Sequence, residues 1–472
     1  MNAEQRTRFK ELGKSAFIRE EMTRLGYWPP SSEIANQSAL AESKLKPLYE
    51  ELIRVRKEFD TVSAEIAVSG DIPTLLAEVR KRRIERVRAE RAVKKAEREQ
   101  ARSEAKTADA AWRRKTLPYL GVGVSGGLAY SDGDSAKISE RALPSLTTAA
   151  QVAAAIGIGE NELAFLCYER AVSGVDHYAR FAIPKKKGGV RVLSSPKRRL
   201  RVAQSWLLKN VLEPLPVHSA AMAFRPGKSV VDNAAPHAGQ AIVVKTDLKD
   251  FFPSLGLRRI KGLFEGLGYN EGVATLFALL ATETPRIAVM FDGKRRFVAV
   301  SKQRGLPQGA CTSPALTNLL CRNFDARLAG AAAAFGFRYT RYADDLTFSH
   351  ASDKAPVGVL LALIRKIVAD ENLTVNEEKT QVLRLSDRQS ITGLVVNGSE
   401  TPRVSREDLR RFRAILHQCE RDGFEAVTAR LGKDAQAYAG GYLSFVHMAR
   451  PDIAGKIAAA HPWLAKWRQA NI

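Results

Sequence analysis

Three aspartates carry the chemistry that this sequence can do. Two stand side by side in Tyr342-Ala343-Asp344-Asp345-Leu346-Thr347-Phe348-Ser349, preceded by Tyr339-Thr340-Arg341. Aromatic and β-branched residues flank a small-residue break, which reads as a β-hairpin with the acidic pair at its tip. Adjacent carboxylates repel each other unless a cation neutralises them. Alone, such a pair could be an ordinary acidic turn. Two companions argue for more. Val243-Val244-Lys245-Thr246-Asp247 reads as a buried strand ending in a third carboxylate, and Leu306-Pro307-Gln308-Gly309 is a tight turn between the two acidic sites. A strand-end Asp with a hairpin Asp pair is the donor set of a two-metal phosphoryl-transfer site, whose ions sit about 3.5–4 Å apart. Oxygen ligands select hard cations.

The motifs resemble those of reverse transcriptases. Tyr342-Ala343-Asp344-Asp345 is similar to their YxDD box, and Asp247-Leu248-Lys249-Asp250-Phe251-Phe252 to their first catalytic motif. Leu306-Pro307-Gln308-Gly309-Ala310-Cys311-Thr312-Ser313-Pro314 resembles the loop under template and incoming nucleotide, with Cys311 where proline is common. Further segments resemble bacterial retron enzymes over roughly 160–472: Asn233-Ala234-Ala235-Pro236-His237 (NAxxH), Ile391-Thr392-Gly393-Leu394-Val395-Val396-Asn397 (the VTG segment, with Ile391 for Val) and Asn376-Glu377-Glu378-Lys379-Thr380 (NxxKT). The resemblance implies an α+β right-hand polymerase: fingers, a palm with an antiparallel sheet, and a helical thumb. It implies an RNA-directed DNA polymerase that copies part of its own structured non-coding RNA into single-stranded DNA. Priming from a 2′-hydroxyl of that RNA and a role in antiphage defence come with it. Two other readings stay open: a group II intron-like or CRISPR-associated reverse transcriptase, and an idle RNA-binding scaffold.

The same resemblance assigns roles. Asp247, Asp344, Asp345 and the Leu248 carbonyl would hold two Mg²⁺ ions, with Mn²⁺ as a substitute. Lys186 and Arg191 would meet the triphosphate, together with backbone amides near Asp250 and Phe251. Phe252 occupies the steric-gate position that excludes a ribose 2′-hydroxyl, and Gln308 would position nucleotide and template. Lys379 is a candidate proton donor to pyrophosphate. Gly393, Arg410 and Arg413 would touch primer and template. By residue type alone, Asn233 and His237 read as a turn former and a core histidine. Their pairing with the catalytic motifs instead points to contact with RNA base edges or 2′-hydroxyls.

The elements that must position these groups are legible in outline. Phe181-Ala182-Ile183-Pro184, Lys185-Lys186-Lys187-Gly188-Gly189 and Val190-Arg191-Val192-Leu193 predict a strand–turn–strand resembling the fingers hairpin. Helices are expected near 198–213, 256–283, 324–335 and 357–372, and a basic helical thumb over 399–472. Fingers and palm are assigned to 148–398. Upstream, 116–147 is glycine-rich and reads as a linker, with no nucleotide-loop lysine. Residues 1–115 predict an antiparallel helical hairpin. Its seam of Leu45, Leu48, Leu52, Val55, Phe59, Val62 and Ile66 steps by three and four, as in a coiled coil. Pro47 is expected in that helix's first turn. Residues 80–115 hold 15 Lys/Arg against 6 Asp/Glu, which favours nucleic-acid contact over a merely solvated face.

Composition agrees. The 472 residues carry a net charge of +23, which calls for an anionic partner. The four cysteines show no CxxC or metal spacing, which argues against disulfides and zinc. No leader or long apolar run is visible, so a cytoplasmic protein without membrane attachment is expected. Expected partners are the cognate RNA, an RNA–DNA hybrid, single-stranded DNA and dNTPs. A host RNase H is expected because no such motif appears. An effector protein or self-association through the N-terminal helices completes the expectations.

Overall fold

The computed structural model describes residues 3–27, 31–69, 72–117, 119–131, 133–184, 189–301, 303–398, 400–464 and 467. The chain divides into two compact units, Met1–Thr107 and Ala108–Ile472.

The first unit is helical: a short helix Ala3–Arg24, then α1 (Ser31–Ser69) and the start of α2 (Ile72–Thr116). Pro47 lies in the interior of α1 and not in its first turn, because the helix begins far upstream at Ser31. The heptad seam forms on α1, but it is not the closed core of a hairpin. Leu45, Leu48, Leu52 and Phe59 are all exposed.

The glycine-rich 116–147 stretch is not a free linker, since Leu120, Val124, Leu128, Ile138, Leu143 and Leu146 are buried in the main core. Its glycines permit close approach. A Cβ on Gly121 would stand 2.1 Å from the Glu169 carbonyl oxygen, and one on Gly133 2.5 Å from that of Gly268. Two strands then pair antiparallel where the sequence predicts a strand–turn–strand: β1 (Tyr178–Pro184) and β2 (Val190–Pro196), with 185–188 outside the described residues.

The palm is a four-stranded antiparallel sheet. In chain order it comprises β3 (Ile242–Asp247), the helices α3 (Thr312–Leu320) and α4 (Arg322–Ala334), β4 (Arg338–Tyr342), β5 (Asp345–His350) and β6 (Gln381–Arg384). The spatial order is β4-β5-β3-β6. Side chains alternate across β3. Ile242 and Val244 enter the main core, with Phe251, Phe264, Phe277, Leu346 and Phe348, while Val243 enters a second core. That second core joins Ala234, Ile391, Leu394 and Val396 to Leu409, Phe412 and Leu416 of α5 (Arg406–Asp422) and to Leu443 and Val446. The C-terminal helices follow from α5, whose Arg410 and Arg413 are exposed opposite the buried Leu409, Phe412 and Leu416. Among the described residues no helix is long and apolar enough to cross a membrane.

Candidate active site

Strand register brings the aspartates together. Asp247 at the end of β3 is directly opposite Asp345 at the start of β5, and Tyr342 pairs with Asp345 across the tip. Opposed residues of antiparallel strands have Cα atoms about 4.5–5.5 Å apart. Only Ala343 and Asp344 remain to make the turn. Ala343 has φ 58°, a left-handed first position that two-residue hairpins require. The Leu248 amide donates to the Asp344 carbonyl at 3.0 Å, which ties the end of β3 to the turn.

The carboxylates feel one another. Loss of hydration, then the charges of Asp344 and Asp247, pushes the Asp345 carboxyl up to about 6, although its side chain is open to solvent on one side. Asp344 is raised as well, by burial first and by Asp247 second, with Lys379 and Arg191 opposing. Asp247 is 5% exposed and held on both oxygens. Asn376 Nδ2 donates to Oδ1 at 3.0 Å and Lys379 Nζ to Oδ2 at 2.9 Å. The Asn376 amide also donates to the Asp247 carbonyl at 2.7 Å. Lys379 is raised above the usual lysine range by its bond to Asp247.

Arg191 is exposed on β2, and its charge reaches Asp344. Lys186 lies outside the described residues. The Gln308 carbonyl accepts from the Ser194 amide at 2.7 Å, which locks the 306–309 turn against β2. Asp250 is exposed with φ 46°, Phe251 is buried in the core, and Phe252 is half-buried beside it. Gly393 is exposed with φ 86°.

Asn233 and His237 do not offer their side chains to RNA: they are 1% and 0% exposed. His237 Nδ1 lies 2.6 Å from Ser349 Oγ on β5, and Nε2 lies 2.8 Å from Thr340 Oγ1 on β4. The imidazole therefore links β4 to β5, the two strands of the hairpin that carries the aspartate pair. Burial, then the charge of Arg338, pushes its pKa down to about 3, so it is neutral. Among the described residues neither atom of the Asn233 carboxamide has a hydrogen-bond partner. The NAxxH and VTG segments meet each other: Thr392 Oγ1 donates to the Val230 carbonyl at 3.2 Å, and the Gly239 amide to that of Val396 at 2.9 Å.

Sequence reasoning assigned no role to the ion pair beneath the turn. Arg341 and Asp325 are both fully buried; Arg341 Nε and Nη2 donate to the carboxylate at 2.8 and 2.7 Å. Arg341 Nη1 also donates to the Ala343 carbonyl at 3.2 Å, and Tyr339 donates to Asp325 at 2.9 Å. The available signal was an arginine within the strand leading to Ala343. The role of Asn376 was likewise missed, although its motif was legible.

A family profile described as "Reverse transcriptase (RNA-dependent DNA polymerase)" matches residues 183–408. The chain is 42% identical over 378 residues to the retron Mx162 reverse transcriptase of Myxococcus xanthus, covering 76% of each chain. This chain belongs to the retron reverse transcriptases. The retron Mx65 enzyme of the same organism is 42% identical over 325 residues, 69% of this chain and 74% of that one. The Escherichia coli retron Ec86 enzyme is 34% identical over 234 residues, 50% of this chain and 66% of that one. A solved telomerase from Candida tropicalis with a telomeric RNA fragment covers 61% of this chain and 56% of its own at TM-score 0.37 and 14% identity, too distant to argue from. The retron reverse transcriptase is an RNA-directed DNA polymerase with the right-hand fold of its family.

Reverse transcriptases use divalent metal ions, and the residues here fit them. An ammonium already stands against Asp247, as a cation would, and two further carboxyls are raised, first by burial and then by the neighbouring carboxylates. Among the described residues no three side chains of metal-ligating type form a cage of their own.

Proposed function

We propose that this retron reverse transcriptase copies part of a structured RNA into single-stranded DNA, beginning from a 2′-hydroxyl of that RNA. Asp247, Asp344, Asp345 and the Leu248 carbonyl would hold Mg²⁺, for which Mn²⁺ would substitute. Bound there, the ions would supply acidity to the attacking hydroxyl and neutralise charge on the triphosphate. The chain's own groups do the rest. Arg191 and Lys186 grip the phosphates, and Gln308 presents the nucleotide from a turn fastened to β2. Phe252 lies beneath the sugar and excludes a 2′-hydroxyl. Lys379, released from Asp247, gives its proton to the leaving pyrophosphate. Asn376 keeps Asp247 in place while Lys379 moves. Gly393, Arg410 and Arg413 steady primer and template.

The observation that carries this reading is the register of Asp247 against Asp345, with Asp344 in the connecting turn. Membership of the family and one physical argument support this priming. A 2′-hydroxyl is a weak nucleophile, so its selection must come from holding folded RNA in line. With Asn233 and His237 buried, that grip belongs to exposed cations. A role in antiphage defence, alone or with an effector, belongs to the same proposal, as does removal of copied RNA by a host RNase H. The test is to purify the cellular product, digest its RNA and treat the remainder with debranching enzyme. A product shortened by debranching is expected. A product with ordinary 3′-primed ends and no 2′–5′ linkage refutes the priming proposal.

A further inference from the structure

The loop before the catalytic strands holds an aromatic residue in a costly conformation with no burial to compensate. Phe224 has φ 59°, a left-handed value that a bulky side chain rarely adopts, and its side chain is 50% exposed. Its neighbours force the conformation. The Met222 amide donates to the Arg341 carbonyl at 2.8 Å and the Arg341 amide to that of Ala220 at 2.8 Å, so the loop is fastened to β4. Buried Asn318 on α3 donates through Nδ2 to the Ala223 carbonyl at 2.9 Å. Arg225 Nη1 donates to the Ala221 carbonyl at 3.0 Å. The result is that Phe224 stands edge-on to Phe252, with ring centroids 6.4 Å apart and planes at 67°. Phe251, buried, meets Phe252 in the same manner at 5.8 Å. Both contacts lie within the range of favourable edge-to-face pairs.

We propose that Phe224 is a positioning residue for sugar selection: it fixes the Phe252 ring in the orientation that rejects a ribose. Phe252 sits on a helix of only four residues, Phe251–Ser254, and is half-buried. A single wall, Phe251, would leave its ring free to tilt away from an incoming 2′-hydroxyl. Phe224 supplies the second wall from a separate element anchored to β4 and α3. The proposal rests on the gate role assigned to Phe252.

The experiment measures kcat/KM for dNTP and rNTP during extension of a DNA primer on an unrelated RNA template. Phe224→Ala, Phe224→Tyr, Phe252→Ala and Phe224→Ala with Phe252→Ala are compared, with thermal melts run in parallel. Phe252→Ala should lower the dNTP/rNTP ratio about tenfold or more. Phe224→Ala should lower it about two- to tenfold, the span an edge-to-face contact is worth. Phe224→Tyr should restore the parent ratio, and Phe224→Ala should add nothing once Phe252 is alanine. A lowered ratio in Phe252→Ala with an unchanged ratio in Phe224→Ala overturns the proposal and leaves the gate standing. An unchanged ratio in Phe252→Ala overturns the gate itself, and the proposal with it. An equal fall for both sugars in Phe224→Ala marks a merely structural loop and also overturns the proposal.

Discussion

Substituting His237 with alanine removes the imidazole that joins Ser349 on β5 to Thr340 on β4. Ser349 Oγ is then buried without that partner, while Thr340 keeps a weaker contact to the Asn233 carbonyl at 3.4 Å. One stranded hydroxyl costs about 1–3 kcal/mol, and the lost packing adds to it, so a loss of roughly 2–4 kcal/mol is expected at neutral pH. The pH dependence makes the test specific. Burial moves the folded-state pKa from the usual 6.5 to about 3, so the unfolded chain takes up the proton first. The neutral imidazole's contribution is complete above pH 6.5 and is lost as pH falls toward 3. At pH 5 the parent should have lost about 2 kcal/mol from this group, at roughly 1.36 kcal/mol per pH unit. Urea denaturation at pH 7.5 and pH 5 should therefore show the gap between parent and variant narrowing by about that amount. Parallel pH profiles would refute the brace. Primer extension at low temperature should survive in the variant, because His237 touches no substrate. Lost priming on the cognate RNA with unaltered stability would return His237 to RNA contact.

Asp344→Asn and Asp345→Asn should each abolish primer extension, a loss of several kcal/mol of transition-state stabilisation. Melting without divalent metal should be unharmed, because each change removes a repelling charge; retained synthesis in both variants would sink the site assignment. Arg341→Met should destabilise the fold by about 3–5 kcal/mol, since it leaves the Asp325 carboxylate buried and unpaired. Arg341→Met with Asp325→Leu should recover part of that in chemical denaturation, and a double variant as unstable as the single one would count against the pair. Deleting residues 1–107 should leave a cooperatively melting protein and flatten the salt dependence of RNA binding. About 0.7–0.9 of the log–log slope disappears with each lost phosphate contact. An unchanged slope would assign the basic helices to a protein partner.

The catalytic hairpin, the strand ending in Asp247 and the fingers hairpin were legible because each is a short local pattern: alternating apolar residues, a turn, a charge. Their register was not, since Asp247 and Asp345 are far apart in sequence and only pairing sets them opposite each other. The glycines of 116–147 misled because permissive backbone serves close packing as well as flexibility. Gly121 and Gly133 are there for neighbouring carbonyls. His237 and Asn233 misled in the opposite way. A motif characteristic of a family reads as a contact with that family's ligand, but here it supports the strands behind the chemistry. Arg341 with Asp325, and Asn376 with Asp247, were invisible because each pair joins two different elements, whose packing and not whose local pattern brings them together. The exposed seam on α1 shows the limit of periodicity, which states that a face is apolar but not what lies against it.

Strand β3 has consequences for recombination. Its alternate side chains belong to different cores: Ile242 and Val244 to the one around the palm helices, Val243 to the one built on α5. The catalytic strand is thus a shared wall, and the seam between palm and C-terminal helices is not a natural cut site. A chimera that grafts another retron enzyme's C-terminal helices after residue 398 would mismatch the packing around Val243, Ala234, Ile391 and Leu394. Segments 230–243 and 389–396 must travel with those helices for the graft to keep its aspartates in register.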